Sequence, residues 1–360
     1  MRAMVLHEWG GPLLLEDRPT PLPGPGEIQL RVGACGVGDT LNNMRGGRNA
    51  SMPGAAVPRV IGHEVAGLVT EVGADVRSVR AGQRVAVYMY LTCGACVACR
   101  GGHDPMCRSL RGMVGLAIDG GLAEYMVVPA ANAVPLPDDV SELDACVAVD
   151  AIATPWHALR GALRTDPSDT LVVIGAGGGV GVHAVKVGRL LGARVIAVDI
   201  TEDKRSFALD HGAEAAIDGR GAVTGAIMEL TDGAGADVVI DYVASEVTLL
   251  AGFAALAYEG TLIVQGVNPP GEEFHVEPRR FVHRQLTVRG SRYASRREVA
   301  EALDLVATGQ ITPAVTATVP LERTEELFGR IERRELLGRA AVLMEATPGR
   351  SRVPAPRPAS

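Results

Sequence analysis

The chain lacks the features that would send it into a membrane or onto nucleic acid. No uninterrupted apolar run approaches the roughly 20 residues of a membrane span, so no membrane partner is expected. A basic excess is missing too: 35 Lys and Arg face 42 Asp and Glu, for a net charge of -7 and a pI near 5.7. A nucleic-acid binder would show a basic surface, so no nucleic-acid partner is expected either. The opening Met1-Arg2-Ala3-Met4-Val5-Leu6-His7-Glu8 has no long apolar core and meets an acid at once, unlike a secretory signal. Cysteines are few, six in all, and four of them crowd into Cys93–Cys107. That clustering fits metal binding in a reducing compartment better than a disulfide framework, so a cytoplasmic protein is expected. Lys and Phe are sparse beside Gly, Ala, Val and Arg, which reads as coding bias and carries no function.

What is present supports two domains. The chain has 360 residues, 47% of them apolar, too long for one ordinary core and well able to bury two. Residues 1–150 are rich in Gly and Pro, with short runs such as Glu27–Val32 and Arg84–Val87 between turn residues. They predict a mostly-β domain. From 151 to 293, apolar runs at Leu171–Ile174, Val195–Val198, Val238–Ile240, Leu262–Val264 and Leu286–Val288 alternate with helical stretches. Between the first two, Val180, Ala184, Val187 and Leu191 mark one apolar helix face. Strand and helix repeating at this pitch predict parallel βαβ units, an α/β domain. Residues 294–346 hold two helical patterns, Arg297–Ala307 and Glu325–Glu332, and a last strand near Ala340–Met344; they are expected to return to the first domain. The segment 347–360, with Pro348, Pro354, Pro356 and Pro358 among Arg and Ser, is expected to be a disordered tail.

The strand Leu171–Ile174 runs into Gly175-Ala176-Gly177-Gly178-Gly179-Val180-Gly181, and the amphipathic helix follows. Glycines let the backbone turn tightly and approach a pyrophosphate, while the helix N-terminus offers free N–H groups and a positive dipole end. A glycine motif alone is weak evidence, but here Asp199 also closes the next strand. Its carboxylate accepts hydrogen bonds from a ribose diol and repels a 2′-phosphate. Ile200, not Arg, follows it. The arrangement predicts a Rossmann-type, doubly wound parallel sheet that binds NAD(H) rather than NADP.

Cys93-x2-Cys96-x2-Cys99-x7-Cys107 brings four soft ligands into one short loop, with Gly94, Gly101 and Gly102 allowing the turns. Four thiolates with no open position favour a tetrahedral, structural Zn²⁺, with an iron–sulfur cluster as the alternative. His103 is surplus to that set and reads as surface.

These two features in this order resemble the medium-chain dehydrogenase/reductase superfamily, particularly its zinc-containing alcohol dehydrogenases. The resemblance runs from the opening strand to about Met344. It includes Gly62-His63-Glu64-x2-Gly67-x5-Gly73, which is similar to the family's zinc signature. It implies a GroES-like catalytic domain interrupted by the Rossmann domain, and a homodimer or homotetramer. It also implies cofactor contacts at Asp199, Lys204, Val243, Gln265-Gly266-Val267 and Arg339. Taken alone, Lys204 and Arg339 would read as solvated charges.

The resemblance breaks at the catalytic zinc. His63 matches the family's second ligand and Asp150 its third, with Thr154 four residues on, but the first, a cysteine, aligns with Gly38, which has no side chain. Asp39 stands where a cation usually meets the cofactor phosphates, Leu41 where an acid orients the ligands, and Asn43 where a relay histidine lies. Thr40 keeps the hydroxyl that takes the substrate's proton. One reading is an atypical catalytic zinc on His63 and Asp150 with Asp39 or Glu64 as a carboxylate ligand. The other is loss of that zinc, leaving His63, Glu64 and Asp150 as acid–base groups. With zinc, the chain would interconvert an alcohol and a carbonyl substrate by hydride transfer. Without it, enoyl- or quinone-reductase-like hydride addition to an activated C=C is the alternative, and a catalytically silent NAD-binding protein is a third. Met44, Met113, Leu116 and Trp156 are candidates for either the substrate pocket or the core.

Overall fold

Leu171, Val173, Val195, Ala197, Val238 and Ile240 point to one side of a parallel sheet, while Val172, Ile174, Ile196, Val198 and Val239 point to the other. All are buried, as a parallel sheet covered on both faces requires. In the computed structural model, which describes residues 1–163, 169–267 and 273–344, six strands form this sheet. Their spatial order is Ala215–Asp218, Arg194–Asp199, Thr170–Ile174, Ala236–Asp241, Leu256–Val264 and Thr287–Gly290. Every pairing is parallel. The strand order reverses beside Thr170–Ile174, and ligands bind outside the carboxyl ends of strands at such a switch point. One face is covered by helix Gly181–Leu190, which buries Val182, Ala184, Val185 and Val187. The other packs against Val223–Leu230 and Glu246–Ala254 through Ile227, Leu249 and Phe253. Each such side chain contributes about 1.5–3 kcal/mol. The edge strand Ala215–Asp218 has no counterpart among the runs read from sequence; its Ala-Ala-Ile-Asp offers too little apolar length to stand out.

The second sheet has seven strands and is mixed. Its long member, Glu27–Val37, pairs antiparallel with Glu64–Val72, with Tyr125–Pro129 and with Arg339–Leu343. Strands Arg84–Val87 and Ala133–Pro135 extend one side, and Val315–Pro320 extends the other beside Arg339–Leu343. The C-terminal strand therefore sits in the N-terminal sheet, with Ala340 opposite Val37 and Val342 opposite Cys35. Helix Arg296–Ala307 is closed by a capping box in which Ser295 and Glu298 satisfy each other's backbone N–H groups. No described helix is long and apolar enough to cross a membrane. The expected tail at 347–360 lies outside the described residues.

Candidate active site and metal centres

The glycine turn is built by close approach. Gly175 has φ +82, a left-handed conformation that glycine adopts freely. A Cβ on Gly181 would overlap the carbonyl oxygen of Gly175 and lie 2.8 Å from its carbon, so the helix begins pressed against the turn. A Cβ on Gly177 would lie 2.7 Å from Cα of Lys204, whose stem therefore covers the turn. Gly178 has only the Gly175 oxygen near it, at 3.4 Å, which leaves its backbone open. Asp199 is buried at the end of its strand. Its Oδ2 accepts from Gly177 N–H at 2.9 Å and its Oδ1 from Ile200 N–H at 2.8 Å. The acid expected to meet a ribose thus also braces the turn. Val180 heads helix Gly181–Leu190, and Val243 and Val267 are exposed.

Gln265, Gly266, Val267 and Ser291 line a cavity of about 470 Å³ together with His103 and Met106 from the cysteine lobe. Met44, Met113 and Leu116 are buried core residues outside it, and Trp156 is tied by Nε1 to Glu301. Tyr242 went unnoticed in the sequence; its hydroxyl is buried without a hydrogen-bond partner, as is Oε1 of Gln265.

In the cysteine lobe all four sulfurs lie within 4.8 Å of one another. Cys93 Sγ is 3.9 Å from Cys99 Sγ, and Cys96 Sγ is 3.5 Å from it. A tetrahedral zinc with bonds of about 2.3 Å sets sulfurs about 3.8 Å apart, so the donor set fits one zinc ion and is too tight for an iron–sulfur cluster. Backbone N–H groups of Cys99 and Arg108 push the Cys96 thiol down, toward the thiolate a metal needs, while burial and the neighbouring sulfurs push Cys99 up. Behind the lobe, Arg296 donates to Asp104 and Thr92 and lies over the Tyr88 ring.

The Gly-His-Glu signature also proves to be a matter of space. Gly62 has φ +111, and a Cβ there would lie 2.8 Å from Cys35 Sγ; one on Gly67 would overlap the Arg31 carbonyl. His63 and Glu64 are fully buried. Asp150 reaches them from a single π-helical turn, Ala148–Ile152, with Thr154 Oγ1 donating to its Oδ1 at 2.6 Å. His63 Nε2 stands 3.5 Å from Asp150 Oδ2 and 3.6 Å from Glu64 Oε1, and neither ring nitrogen has a hydrogen-bond partner. Burial works against the Asp150 charge, but His63, Arg339 and Thr154 hold its carboxyl well below the usual range.

Arg339 is the residue whose place the sequence did not disclose. It is buried, and it grips Glu64 with Nε at 3.0 Å and with Nη2, which also reaches Asp150 Oδ2 at 3.2 Å. A Cβ on Gly38 would overlap its Nη1 and lie 2.5 Å from Cζ, and one on Gly179 would lie 2.8 Å from Nη1. The guanidinium thus touches the glycine turn on one side and the acid pair on the other. Asp39, expected as a metal ligand, lies instead on the exposed first turn of helix Asp39–Arg45, outside the converging donors. Its negative charge nonetheless acts on Arg339 and favours the guanidinium cation. Thr40 is half-buried on the same turn, and Cys35 Sγ faces Gly62 and Gly121 rather than the cluster.

Two family models match the chain: an alcohol dehydrogenase GroES-like domain over residues 24–138 and a zinc-binding dehydrogenase over 179–308. An NAD-dependent alcohol dehydrogenase of Sulfurisphaera tokodaii is 33% identical, with 95% of this chain and 100% of that protein covered. The chain belongs to the zinc-binding alcohol dehydrogenase family. Among solved structures, the alcohol dehydrogenase of Aeropyrum pernix superimposes with a TM-score of 0.88 at 31% identity, covering 95% of this chain and 100% of that one. AibC gives a TM-score of 0.88 at 34% identity, covering 96% of each. The resemblance read from the signature and the glycine turn is borne out, as is the GroES-like plus Rossmann-like fold.

Within this zinc-binding dehydrogenase, His63, Glu64 and Asp150 offer donor atoms within 4.8 Å of one another. They do not fit a resident dication. Both carboxylates already hold the guanidinium of Arg339, which also fills the space beside Gly38. The oxygens of both acids are engaged, those of Glu64 by Arg339 and those of Asp150 by Thr154 and Arg339, which leaves His63 as the one member of the three whose donor atoms have no hydrogen-bond partner.

Proposed function

We propose that the chain is an NAD(H)-dependent oxidoreductase that interconverts an alcohol and a carbonyl compound by hydride transfer. The observation that carries this is the single guanidinium of Arg339, which contacts Gly179 of the glycine turn and both acids of the His63 cluster. The cofactor turn and the buried polar cluster are therefore one side chain apart. Relatives named NAD-dependent alcohol dehydrogenase support the substrate class.

NAD(H), when bound, supplies the hydride carrier. Asp199 receives the ribose hydroxyls, Gly178 and the N-terminus of helix Gly181–Leu190 receive the pyrophosphate, and Lys204 flanks them. Val243, Gly266 and Val267 wall the nicotinamide. The proton that accompanies the hydride passes by the Thr40 hydroxyl and the His63–Asp150 pair. The four-cysteine lobe holds a structural zinc, in keeping with the reducing cytoplasm. Val247, Tyr258 and Val282, exposed apolar residues of the cofactor half, support a homodimer or homotetramer, which sedimentation would test.

NADH oxidation over a panel of carbonyls and enones tests the proposal. Carbonyl turnover is expected. Turnover of enones alone would replace the proposal with C=C reduction, the reading that Gly38 favours. Cofactor binding without any turnover would refute both.

A further inference from the structure

We infer that Arg339 is the resident cation of this active site, in the place where a catalytic metal would sit, so that the chain holds one zinc, in the cysteine lobe, and no second. This deepens the functional reading above and rests on it for the name of the site; with no metal there, hydrogen bonds rather than a Lewis acid must polarise the carbonyl.

Three observations converge. First, two glycines clear the guanidinium's surroundings and a third clears those of its partner Glu64. A Cβ on Gly38 or Gly179 would press on Arg339, and one on Gly36 would overlap Glu64 Oε2 and lie 3.0 Å from its Cβ. Gly38 has φ -157 and ψ -171, extended backbone that any residue adopts. Its lack of a side chain is therefore a matter of room, not of backbone conformation. Second, both carboxylates that a metal would need are engaged: Glu64 by Nε and Nη2, and Asp150 by Nη2 through the same Oδ2 that faces His63. Third, the guanidinium is permanently charged and forked, matched to two carboxylates as a spherical ion is not. Arg339 is a positioning residue here: it fixes Glu64 and Asp150 around the His63 ring without a Lewis acid.

Metal counting on the purified full-length protein, dialysed with NADH against micromolar zinc, tests this without reference to turnover. The wild type is expected to hold one zinc per chain. Arg339→Met, which frees both carboxylates, is expected to rise to two, while Arg339→Lys, which keeps the charge, stays at one. Two zinc ions in the wild type would overturn the inference, and so would one in Arg339→Met. If Arg339→Met fails to fold, titration of the wild type with Co²⁺ decides. Only the thiolate charge-transfer spectrum of the cysteine lobe is expected, and a second tightly held cobalt without thiolate bands overturns the inference. A protein that turns over no carbonyl would refute the functional reading and leave these counts untouched.

Discussion

Asp199 carries two duties that substitution can separate. Its Oδ2 accepts from Gly177 N–H at 2.9 Å and its Oδ1 from Ile200 N–H at 2.8 Å. Asp199→Asn keeps an amide oxygen for Gly177 N–H, turns its NH2 toward Ile200 N–H and removes the charge; Asp199→Ala removes both acceptors and the charge. A hydrogen bond to a charged group contributes about 1.5–3 kcal/mol, so the Asn variant is expected to bind NADH roughly 10- to 150-fold more weakly. The Ala variant leaves the Gly177 donor unsatisfied in addition, which costs about 1–3 kcal/mol more and appears as a lower unfolding midpoint even without cofactor. NADPH affinity moves the other way in both, since the repelling carboxylate is gone. Fluorescence titration with each cofactor and thermal unfolding of the cofactor-free protein read the two duties apart. If Asp199→Asn bound NADH as tightly as the wild type, the carboxylate would not meet the ribose. If Asp199→Ala matched the Asn variant in cofactor-free stability, the brace on the turn would be worth nothing.

Gly181→Ala puts a Cβ onto the Gly175 carbonyl, a backbone contact no rotamer relieves; NADH affinity should fall at least tenfold, and unchanged binding would show that the turn has slack. His183 is fully buried, with Nδ1 bonded to Gly179 O and Nε2 accepting from Ala314 N–H, and burial pushes it down from 6.5 to about 3. The unfolded chain therefore binds the extra proton. Its contribution is complete above pH 6.5 and is lost as pH falls toward 3, by at most about 1.4 kcal/mol per pH unit. Urea unfolding of His183→Asn should lack that slope, and an identical slope in both proteins would sink the assignment. Cys96→Ser should release the lobe's zinc and loosen the loop anchored by Asp104 and Arg296; limited proteolysis that found it as resistant as the wild type would argue against a structural metal.

What the sequence disclosed was local. The turn Gly175–Gly181, the strand ending at Asp199 and the four cysteines are each written within a few dozen residues, where periodicity and spacing are visible. The mixed sheet was less legible, because Glu27–Val37 gathers partners from both ends of the chain. Arg339 was hidden for the same reason. It meets Glu64 across 275 positions, and its alignment with a cofactor contact gave no hint of the acids it holds. Asp39 shows the opposite case: adjacency to Gly38 in sequence suggested a replacement ligand, but it is exposed and stands outside the donors that converge on His63, acting on Arg339 through its charge alone.

The histidine that bridges Gly179 and Ala314 has a consequence for modularity. Ala314 N–H ends on His183, and Gly338 N–H ends on the Gly177 carbonyl. The cofactor turn is thus hemmed by backbone from the segment that runs into the other sheet. A cofactor half excised at its sheet boundaries would carry raw seams at 177 and 183. A chimera that grafts this half onto a foreign catalytic half must bring the stretches at 314 and 338–339 with it, or redesign the join.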